Sequence, residues 1–270
     1  MRKLHQIGGR KYLRPVRASA AIESRYQHQL ERLVDQMCRS VMYWLRATYR
    51  SNEDRIVTDA TPASELQRRI RDLRKQWDKK FADAADRLAR YFAQDVDRRS
   101  AVVLRNILKE GGFTVEFQTT AGIRNIMEAT IHENVGLIKS IPQQFLNQVE
   151  GIVMRGVQKG GDLQQITEDL QKQFGVTRRR ASLIARDQNR KAQAAFNRQR
   201  HLDLGIEEAE WVHSGGGHEP RKSHVKAGKD RTRYRIAEGW WDPDEGKFIQ
   251  PGELINCRCT SRPIIPGLSS

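Results

Sequence analysis

The stretch "LINCRCTSRPIIP", residues 254–266, places two of the chain's three cysteines one residue apart. Cys257 and Cys259 are separated by Arg258, and the residues that follow predict a closing β-strand. In a strand, side chains at positions i and i+2 share a face, so both thiols are predicted to point the same way while Arg258 points opposite. The stretch therefore predicts a small C-terminal β unit that ends on a cysteine pair.

The sequence before the cysteine pair divides into short segments rich in Gly, Pro and Asp. "EEAEWVHS" (207–214) is typical of a strand, "GGGHEPRKSH" (215–224) of a loop, and "GWWDPDEGKF" (239–248) of a hairpin. Because these segments hold few large aliphatic side chains, the unit has a small core. We expect it to be held together by helix packing, by its tryptophans or by a metal ion.

Helical periodicity dominates the rest of the chain. Apolar residues recur every three or four positions from about residue 20 and again from Thr61, which predicts two long amphipathic helices. "FTVEFQ" (113–118) alternates and predicts a short strand. Beyond it the helical period returns, and Pro142 and Thr177 are each predicted to begin a new, shorter helix.

We accordingly predict a mainly α chain, in which long N-terminal helices precede a helical segment and a small, irregular C-terminal β unit (α+β). The predicted domains are an N-terminal helical region (1–110), a connecting strand and helix (111–141) and a C-terminal domain (142–266). Within the C-terminal domain, helices are predicted over 142–205 and the β unit over 206–266.

Composition limits the class of protein. The 270-residue chain is 38% hydrophobic and 30% charged, as expected for one or two domains with long polar helix faces. It has no apolar run that could span a membrane, and its basic first residues lack the apolar core of a signal peptide. An odd number of cysteines argues against a disulfide scaffold. We expect a protein that stays in the cytoplasm where it is made, without membrane contact.

The formal net charge of +15 is concentrated in two blocks. Residues 1–50 hold 11 Lys/Arg against 3 Asp/Glu and residues 171–235 hold 16 against 7, whereas residues 51–170 hold 18 of each. Basic blocks attract polyanions through counterion release, without base reading. The alternative is a solvated surface that faces acidic partner proteins. The candidate nucleic-acid contacts are Arg178, Arg179, Arg180, Arg186, Arg190 and Lys191.

Three histidines, His213, His218 and His224, lie close together upstream of the cysteine pair. Two thiolates and two imidazoles suit zinc, whose tetrahedral site contributes folding energy to small units. A C-x-C pair is a weaker zinc signal than C-x-x-C, however, and two small half-buried thiols in a strand explain the pair as well. The candidate metal ligands are His218, His224, Cys257 and Cys259.

The enzymatic alternative is a metal-dependent nuclease with His224 as base and the cysteines as ligands. The sequence lacks the acidic cluster expected beside such a histidine, and no nucleophile context surrounds either cysteine. "GGGH" (215–218) is no phosphate loop, because the Lys-Ser/Thr that ends a P-loop is absent. We therefore predict no enzymatic activity and no catalytic residue.

The order of motifs in the second half of the chain resembles the phage Mu F-like family of minor head, or head morphogenesis, proteins. In that family a helix rich in Arg and Asn runs into Gly, a strand with Trp follows, and R-x-x-H-x-x-x-G precedes a closing C-R-C and a proline. The resemblance covers about residues 142–266. The matching positions are Arg186, Asn189, Asn197, Gly205, Trp211, Arg221, His224, Gly228, Cys257, Arg258, Cys259 and Pro263.

The chain departs from the pattern of many members at three places. Gly215 to Gly217 stand where an Asp follows the Trp strand, no cysteine lies near R-x-x-H, and Leu254 and Ile255 stand where His-Pro precedes Asn-Cys-Arg-Cys. These departures reduce the nitrogen and sulfur ligands available. The prediction is therefore either no cofactor or zinc at the candidate ligands.

The resemblance implies a structural virion protein: a minor capsid protein in few copies that acts with the portal during head morphogenesis and genome packaging. Its implied partners are the portal protein, the major capsid or scaffold protein, and double-stranded DNA bound without sequence preference. The implied location is the capsid interior near the portal, after assembly in the host cytoplasm. The resemblance also implies that the C-R-C segment holds the closing strand against the R-x-x-H loop. A non-specific nucleic-acid-binding module without an assembly role is the remaining alternative.

Overall fold

Long α-helices make up most of the part of the chain that the structure describes. The computed structural model describes residues 13–50, 61–159, 163–216 and 219–265. Its long helices are α1 (Ala20–Arg50), α2 (Thr61–Glu110), α3 (Ala121–Gln158) and α4 (Leu163–Asp203). Each buries apolar side chains at three- and four-residue steps, as the sequence predicts. Within the described ranges, no helix combines the length and the apolar run that a membrane span requires.

The remaining elements form the C-terminal β unit. In chain order they are β1 (Glu208–Val212), α5 (Lys222–Lys229), β2 (Arg233–Arg235), β3 (Trp240–Asp242), β4 (Lys247–Ile249) and β5 (Thr260–Ile264). β1 is the central strand of an antiparallel sheet ordered β2-β1-β5, in which Ala209 lies opposite both Tyr234 and Pro263. β3 and β4 form a separate antiparallel hairpin, with Trp241 opposite Phe248. The predicted fold class, mainly α with a small β unit, is confirmed.

The chain divides into two compact units. The first, called here the site unit, contains the described residues of 1–23, 91–130 and 186–270. The second, the helical unit, contains those of 24–90 and 131–185. Each long helix contributes one segment to each unit, so the units are built from several stretches of sequence rather than one.

Aromatic and polar contacts order the core of the helical unit. Phe145 stacks on Phe174, with ring centroids 5.8 Å apart. The buried hydroxyl of Tyr26 in α1 donates to Asn134 Oδ1 in α3 at 2.9 Å. This bond fixes the register of the two helices, because a shift of one turn would leave both polar groups buried without each other.

The strand predicted at 113–118 is wrong, since this segment has no strand pairing in the structure. Its alternate apolar side chains pack instead against the end of α2. That apolar cluster contains Leu13, Val16, Leu104, Ile107, Leu108, Phe113 and Ile265, with Val115 and Phe117 packed against it. The alternation that indicated a strand therefore reflects packing on a helix end. Leu13 also donates its N–H to Pro263 O of β5 at 3.4 Å.

Two predicted helix starts are also wrong, because α3 runs through Pro142 and α4 runs through Thr177. Proline inside a helix lacks one N–H donor, a defect of about 3 kcal/mol. Here Pro142 itself and its neighbours Ile141 and Phe145 are buried, and this packing offsets the defect. The Thr177 hydroxyl donates to Gln173 O at 3.0 Å inside the helix, so it does not cap a helix start.

Two features of the β unit differ from the sequence analysis. The cysteine pair lies just before β5 rather than within it. The predicted loop at 215–224 contains the start of α5, so R-x-x-H lies at a helix start and not in a loop. The eight-residue α5 is too short for a repeated apolar position to reveal it, because it spans only about two helical turns.

A buried arginine joins α4 to α2 inside the site unit. Arg200 is 4% exposed, and its guanidinium donates to Ser100 Oγ, to Asp97 Oδ1 at 2.5 Å and to Asp97 O at 3.2 Å. Burial lowers the pKa of Arg200, and the charge of Asp97 opposes that shift. The guanidinium is thus a branched donor that satisfies several buried acceptors at once.

Replacing Arg200 by Ala is expected to destabilise the site unit by about 3 kcal/mol, because Asp97 and Ser100 lose their buried partner. The matched control is Arg90→Ala, which removes an exposed pair with Asp86 and is expected to cause no measurable change. Urea unfolding followed by circular dichroism measures both variants. Equal changes in the two would contradict the role assigned to Arg200.

Candidate metal centre

Helix α5 carries His224 into the interior of the β unit. His224 and Gly228 are four residues apart and so lie on the same face of the helix. A Cβ on Gly228 would lie 2.4 Å from His213 Cβ and 2.9 Å from His213 N, closer than real atoms pack. The absence of a side chain therefore lets α5 approach the residue after β1. The last glycine of R-x-x-H-x-x-x-G is needed for this close approach, which keeps His224 only 3% exposed.

A residue in the left-handed region turns the chain into the cysteine pair. Asn256 has a φ of 61°, which Asn adopts more readily than most residues. Its N–H donates to Asp187 Oδ1 of α4 at 2.9 Å and anchors the turn on that helix. Cys257 and Cys259 are then buried while Arg258 is exposed. The two thiols share a face, as the spacing predicts.

Both thiols meet the imidazole of His224. The His224 Nδ1 atom lies 3.6 Å from Cys257 Sγ and 3.7 Å from Cys259 Sγ. The three ligand atoms all lie within 4.8 Å of one another, and the three residues are buried. One nitrogen and two sulfurs therefore converge from α5 and from the segment before β5.

A buried carboxylate fixes the orientation of the His224 ring. The Nε2 atom lies 3.0 Å from Asp242 Oδ2 at the end of β3, and Asp242 is fully buried. Asp244 N–H donates to Asp242 Oδ1 at 3.0 Å, and Ser223 N–H donates to Asp244 Oδ2 at 3.3 Å. When Nε2–H donates to the carboxylate, the neutral ring keeps its lone pair on Nδ1, which faces the sulfurs.

Trp211 of β1 covers the cluster. Its ring centroid lies 5.0 Å from that of His224 in an edge-on arrangement, and 4.9 Å from that of Trp240. Trp211 is 1% exposed and belongs to the apolar core of the β unit. Because aromatic rings exclude water, charges within the cluster interact more strongly than they would at the surface.

The members of the cluster shift one another's pKa values. The Cys259 thiol lowers the pKa of Cys257. Burial opposes this shift, while His224 and the backbone amide of Gly252 add to it. The interaction with Cys257, together with burial, raises the pKa of Cys259. Burial lowers the pKa of His224, but its contacts with Cys257 and Asp242 outweigh burial, and the pKa is raised.

Three of the four candidate metal ligands meet in the structure: His224, Cys257 and Cys259. His218, the fourth, lies outside the described residues. His213 does not join the group, and its Nδ1 accepts a bond from Gly215 N–H at 3.2 Å. The sequence analysis missed Asp242. The signal that could have found it is an acidic residue directly after two tryptophans, in a segment otherwise typical of a turn.

Arg221 and Arg258, two of the arginines of the family motifs, lie at the rim of the cluster. Arg221 Nε lies 3.4 Å from Glu245 Oε1, and Arg221 donates to Ile255 O at 3.3 Å. Arg258 is exposed, and together with Arg186 it lines a cavity of about 310 Å³ that the three clustered ligands also line. The cluster is thus buried on the side of Trp211 and borders a basic cavity.

The first three candidate nucleic-acid contacts belong to the helical unit. Arg178 pairs with Glu31 at 3.2 Å, and Arg180 donates to Ser140 Oγ at 2.9 Å. Burial lowers the pKa of Arg180. Arg179 is exposed. Two of these three side chains therefore already have partners within the unit.

The other three candidate contacts belong to the site unit. Lys191 pairs with Asp187 at 3.0 Å. Burial lowers the pKa of Arg190, the charge of Glu23 opposes that shift, and the charges of Arg258 and Arg186 add to it. The guanidinium groups of Arg186, Arg190 and Arg258 are called here the arginine cluster.

Comparisons with known proteins identify relatives of the chain. A family model described as phage Mu protein F-like matches residues 147–262, which include the whole His–Cys–Cys group and its carboxylate. An uncharacterized protein of Haemophilus influenzae is 30% identical over 260 residues, an alignment that covers 93% of this chain and 55% of the relative. The chain thus spans about half the length of that protein. No solved structure matches the chain significantly.

Gly228→Ala is expected to destabilise the site unit by about 1–3 kcal/mol, because the added methyl group meets the backbone of His213. Gly136→Ala is the matched control: this glycine also lies within a helix, but nothing lies within 4 Å of the added Cβ. The control change is expected to stabilise α3 by about 0.5–1 kcal/mol. Urea unfolding measures both. A Gly228→Ala protein as stable as the parent would contradict the close approach of α5.

Proposed function

Since residues 147–262 of the chain belong to the phage Mu protein F-like family, we propose that the protein is a minor capsid protein acting with the portal in head morphogenesis. The family match is the observation that carries the proposal. The matched residues include every member of the buried His–Cys–Cys group, so the match covers the candidate site itself. Phage head morphogenesis is the function that this family indicates. The contact with the portal, the low copy number and the place in the capsid interior are the finer parts of the proposal.

A structural role without catalysis is part of the proposal. It is supported by the engagement of both ring nitrogens of His224, since Nε2 faces Asp242 and Nδ1 faces the two sulfurs. A general base needs a nitrogen within reach of substrate. Both thiols are buried as well, whereas a nucleophilic cysteine needs access. We therefore assign no hydrolytic turnover to the chain.

The β3–β4 hairpin is the surface that we assign to the portal contact. Trp241 and Phe248 face each other across the two strands with ring centroids 5.3 Å apart, and they are 51% and 56% exposed. Ile255 is 59% exposed. Exposed apolar patches commonly mark protein contacts, and aromatic side chains supply much of the binding energy there. The partner surface proposed for this hairpin is an apolar pocket on the portal that receives the two aromatic rings.

Incorporation into heads tests the proposal in the phage or prophage that encodes the chain. The parent protein is expected in purified heads at a low copy number relative to the major capsid protein. Trp241→Ser with Phe248→Ser should lower that amount at least about tenfold, because truncating central aromatic residues removes much of an interface's affinity. Tyr91→Ser changes another exposed aromatic residue (49%) and is the matched control, expected to leave the amount unchanged.

Quantitative mass spectrometry of purified heads gives the amounts, and circular dichroism of the isolated variants verifies their folding. Absence of the parent protein from heads would contradict the minor capsid role. Parental incorporation of the Trp241→Ser, Phe248→Ser variant would contradict the hairpin contact alone. The experiment therefore tests the minor capsid role and the hairpin contact independently.

The second proposed contact is with packaged double-stranded DNA. The arginine cluster supports it, because planar guanidinium groups bind phosphate oxygens as paired donors. A second cavity beside the cysteine pair, about 360 Å³ in volume, is lined by Arg17, Arg190 and Arg258, with Glu23 as a counter-charge. This arrangement of charges recognises phosphate groups and provides no sequence-specific contact with bases. An acidic protein surface is the competing partner for the same charges.

DNA binding is expected to be independent of sequence and steeply dependent on salt. Arg186→Gln with Arg258→Gln should make the slope of log K against log salt about 2 units shallower, since two phosphate contacts are lost. Arg74→Gln with Arg90→Gln removes the same net charge and is the matched control, because Arg74 pairs with Glu150 and Arg90 pairs with Asp86. Fluorescence anisotropy with two unrelated duplexes over a range of salt concentrations measures both variants.

A strong preference for one duplex at equal salt, or equal slopes in the two double variants, would contradict the proposed DNA contact. Plasmid DNA incubated with the parent chain and divalent metal should stay uncut. Cleavage that disappears in a folded His224→Ala variant would instead support the nuclease alternative and contradict the structural role.

A further inference from the structure

We propose that His224, Cys257 and Cys259 bind a zinc ion that ties helix α5 to the segment before β5. The ion takes one nitrogen and two sulfur ligands, and its role is structural. The inference rests on the geometry of the β unit and does not depend on the function proposed above.

The distances between the ligand atoms fit a tetrahedral ion. Zinc binds cysteine sulfur at about 2.3 Å and histidine nitrogen at about 2.0–2.1 Å. At the tetrahedral angle, these bond lengths separate the nitrogen from each sulfur by about 3.6 Å. The observed separations of His224 Nδ1 from Cys257 Sγ and Cys259 Sγ are 3.6 and 3.7 Å. Both nitrogen–sulfur separations therefore match a shared tetrahedral ion.

Asp242 gives the histidine the orientation that a metal ligand needs. Metal-binding histidines commonly donate their other ring N–H to a carboxylate, which fixes the tautomer and makes the ligating nitrogen more basic. His224 has this arrangement, with Nε2 3.0 Å from Asp242 Oδ2 and Nδ1 towards the sulfurs. Backbone N–H donation from Asp244 holds the other carboxylate oxygen. Asp242 is therefore a positioning residue for the proposed site.

The chemistry of the ligands selects zinc. Magnesium and calcium prefer oxygen ligands, whereas two sulfurs and an imidazole nitrogen favour zinc among the common divalent cations. Two thiolates also neutralise the two positive charges of the ion. The assembled site is then neutral, which makes its burial behind Trp211 energetically acceptable.

The three ligands line a cavity of about 310 Å³. Among the residues that the structure describes, no further His, Cys, Asp or Glu joins the ligand group. Three buried protein ligands still join two segments that are remote in sequence, which is what the structural role requires.

Two arrangements without metal compete with zinc. In the first, one hydrogen bond joins Nδ1 to a sulfur, either from a thiol to the neutral ring or from the protonated ring to a thiolate, and would place one sulfur nearer than the other. The two separations are nearly equal instead. In the second, Cys257 and Cys259 form a disulfide, but both are free thiols in the structure. Zinc explains the equal distances and the shared orientation together.

Metal analysis of the full chain, produced with zinc in the medium, tests the proposal. Elemental analysis is expected to give one zinc per chain. Cys257→Ser and Cys259→Ser should each lose the zinc, because each removes one ligand. Cys38→Ser is the matched control: Cys38 is equally buried but lies in α1, so this variant should keep its full zinc content.

Asp242→Asn separates a positioning role from a ligand role. This variant should still bind one zinc at saturating metal, but about 10- to 100-fold more weakly in competition with a chromophoric chelator. Cobalt in place of zinc should give thiolate-to-cobalt charge-transfer absorption in the parent and in Asp242→Asn. The absorption should weaken in Cys257→Ser.

Several outcomes would overturn the proposal. They are a parent chain that binds no added zinc, a Cys257–Cys259 disulfide found by counting thiols in the denatured protein, or equal zinc loss in the Cys38→Ser control.

If the cysteine variants do not fold, a chelation experiment on the parent chain tests the structural role. Removing its zinc with a chelator should expose cleavage sites beyond about residue 205 to protease, while the helical circular dichroism persists. An unchanged protease pattern after complete zinc removal would overturn the structural role.

Discussion

The side chain of His224 is the contact on which the rest of the β unit depends. The ring of His224 meets the hairpin through Asp242 on one side and the cysteine pair on the other, so one side chain of α5 joins three pieces of the unit. The apolar core around Trp211 is small and contributes limited burial. Without the ring, the hairpin and the segment before β5 would lose their common partner at once. The long helices have cores of their own.

The hairpin that anchors this ring also carries the surface proposed for the portal. Side chains alternate along β3, so Trp240 and Asp242 face the interior while Trp241 faces solvent. Three consecutive residues therefore link the buried histidine to an exposed aromatic pair. The contact between Asp242 and His224 therefore positions the strand that presents Trp241 to solvent.

Long-range periodicity was readable from the sequence, whereas short elements and breaks were not. Helices α1 and α2 follow from apolar spacing, because a stripe repeated over many turns outweighs local exceptions. Pro142 and Thr177 led to wrong predictions of helix starts. Their local preference to begin a helix is overridden by burial, and burial cannot be read from a short stretch of sequence. The segment 113–118 alternates for the same reason: it packs on a helix end instead of pairing with a strand.

The site residues could likewise be predicted where a sequence motif marked them, and could not where their role depends on burial. The spacing of Cys257 and Cys259 correctly predicted a shared face, and R-x-x-H singled out His224. Asp242 stayed hidden because its role comes from burial beside the ring and from no pattern in its neighbours. The glycine at 228 could be noticed as a motif position, but its physical reason, the contact with His213, exists only once α5 has docked.

The N–H of Leu13 donates to Pro263 O and so joins the first described residues of the site unit to its last strand. The site unit draws on residues 13–23, 91–130 and 186–265, so its earliest residues wait for β5 to be synthesised. The apolar side chains of Leu104, Leu108 and Phe113 meet their last partner, Ile265, only at that point. Contacts so distant in sequence form slowly, and a chain that lacks β5 leaves these apolar side chains without their contact to Ile265.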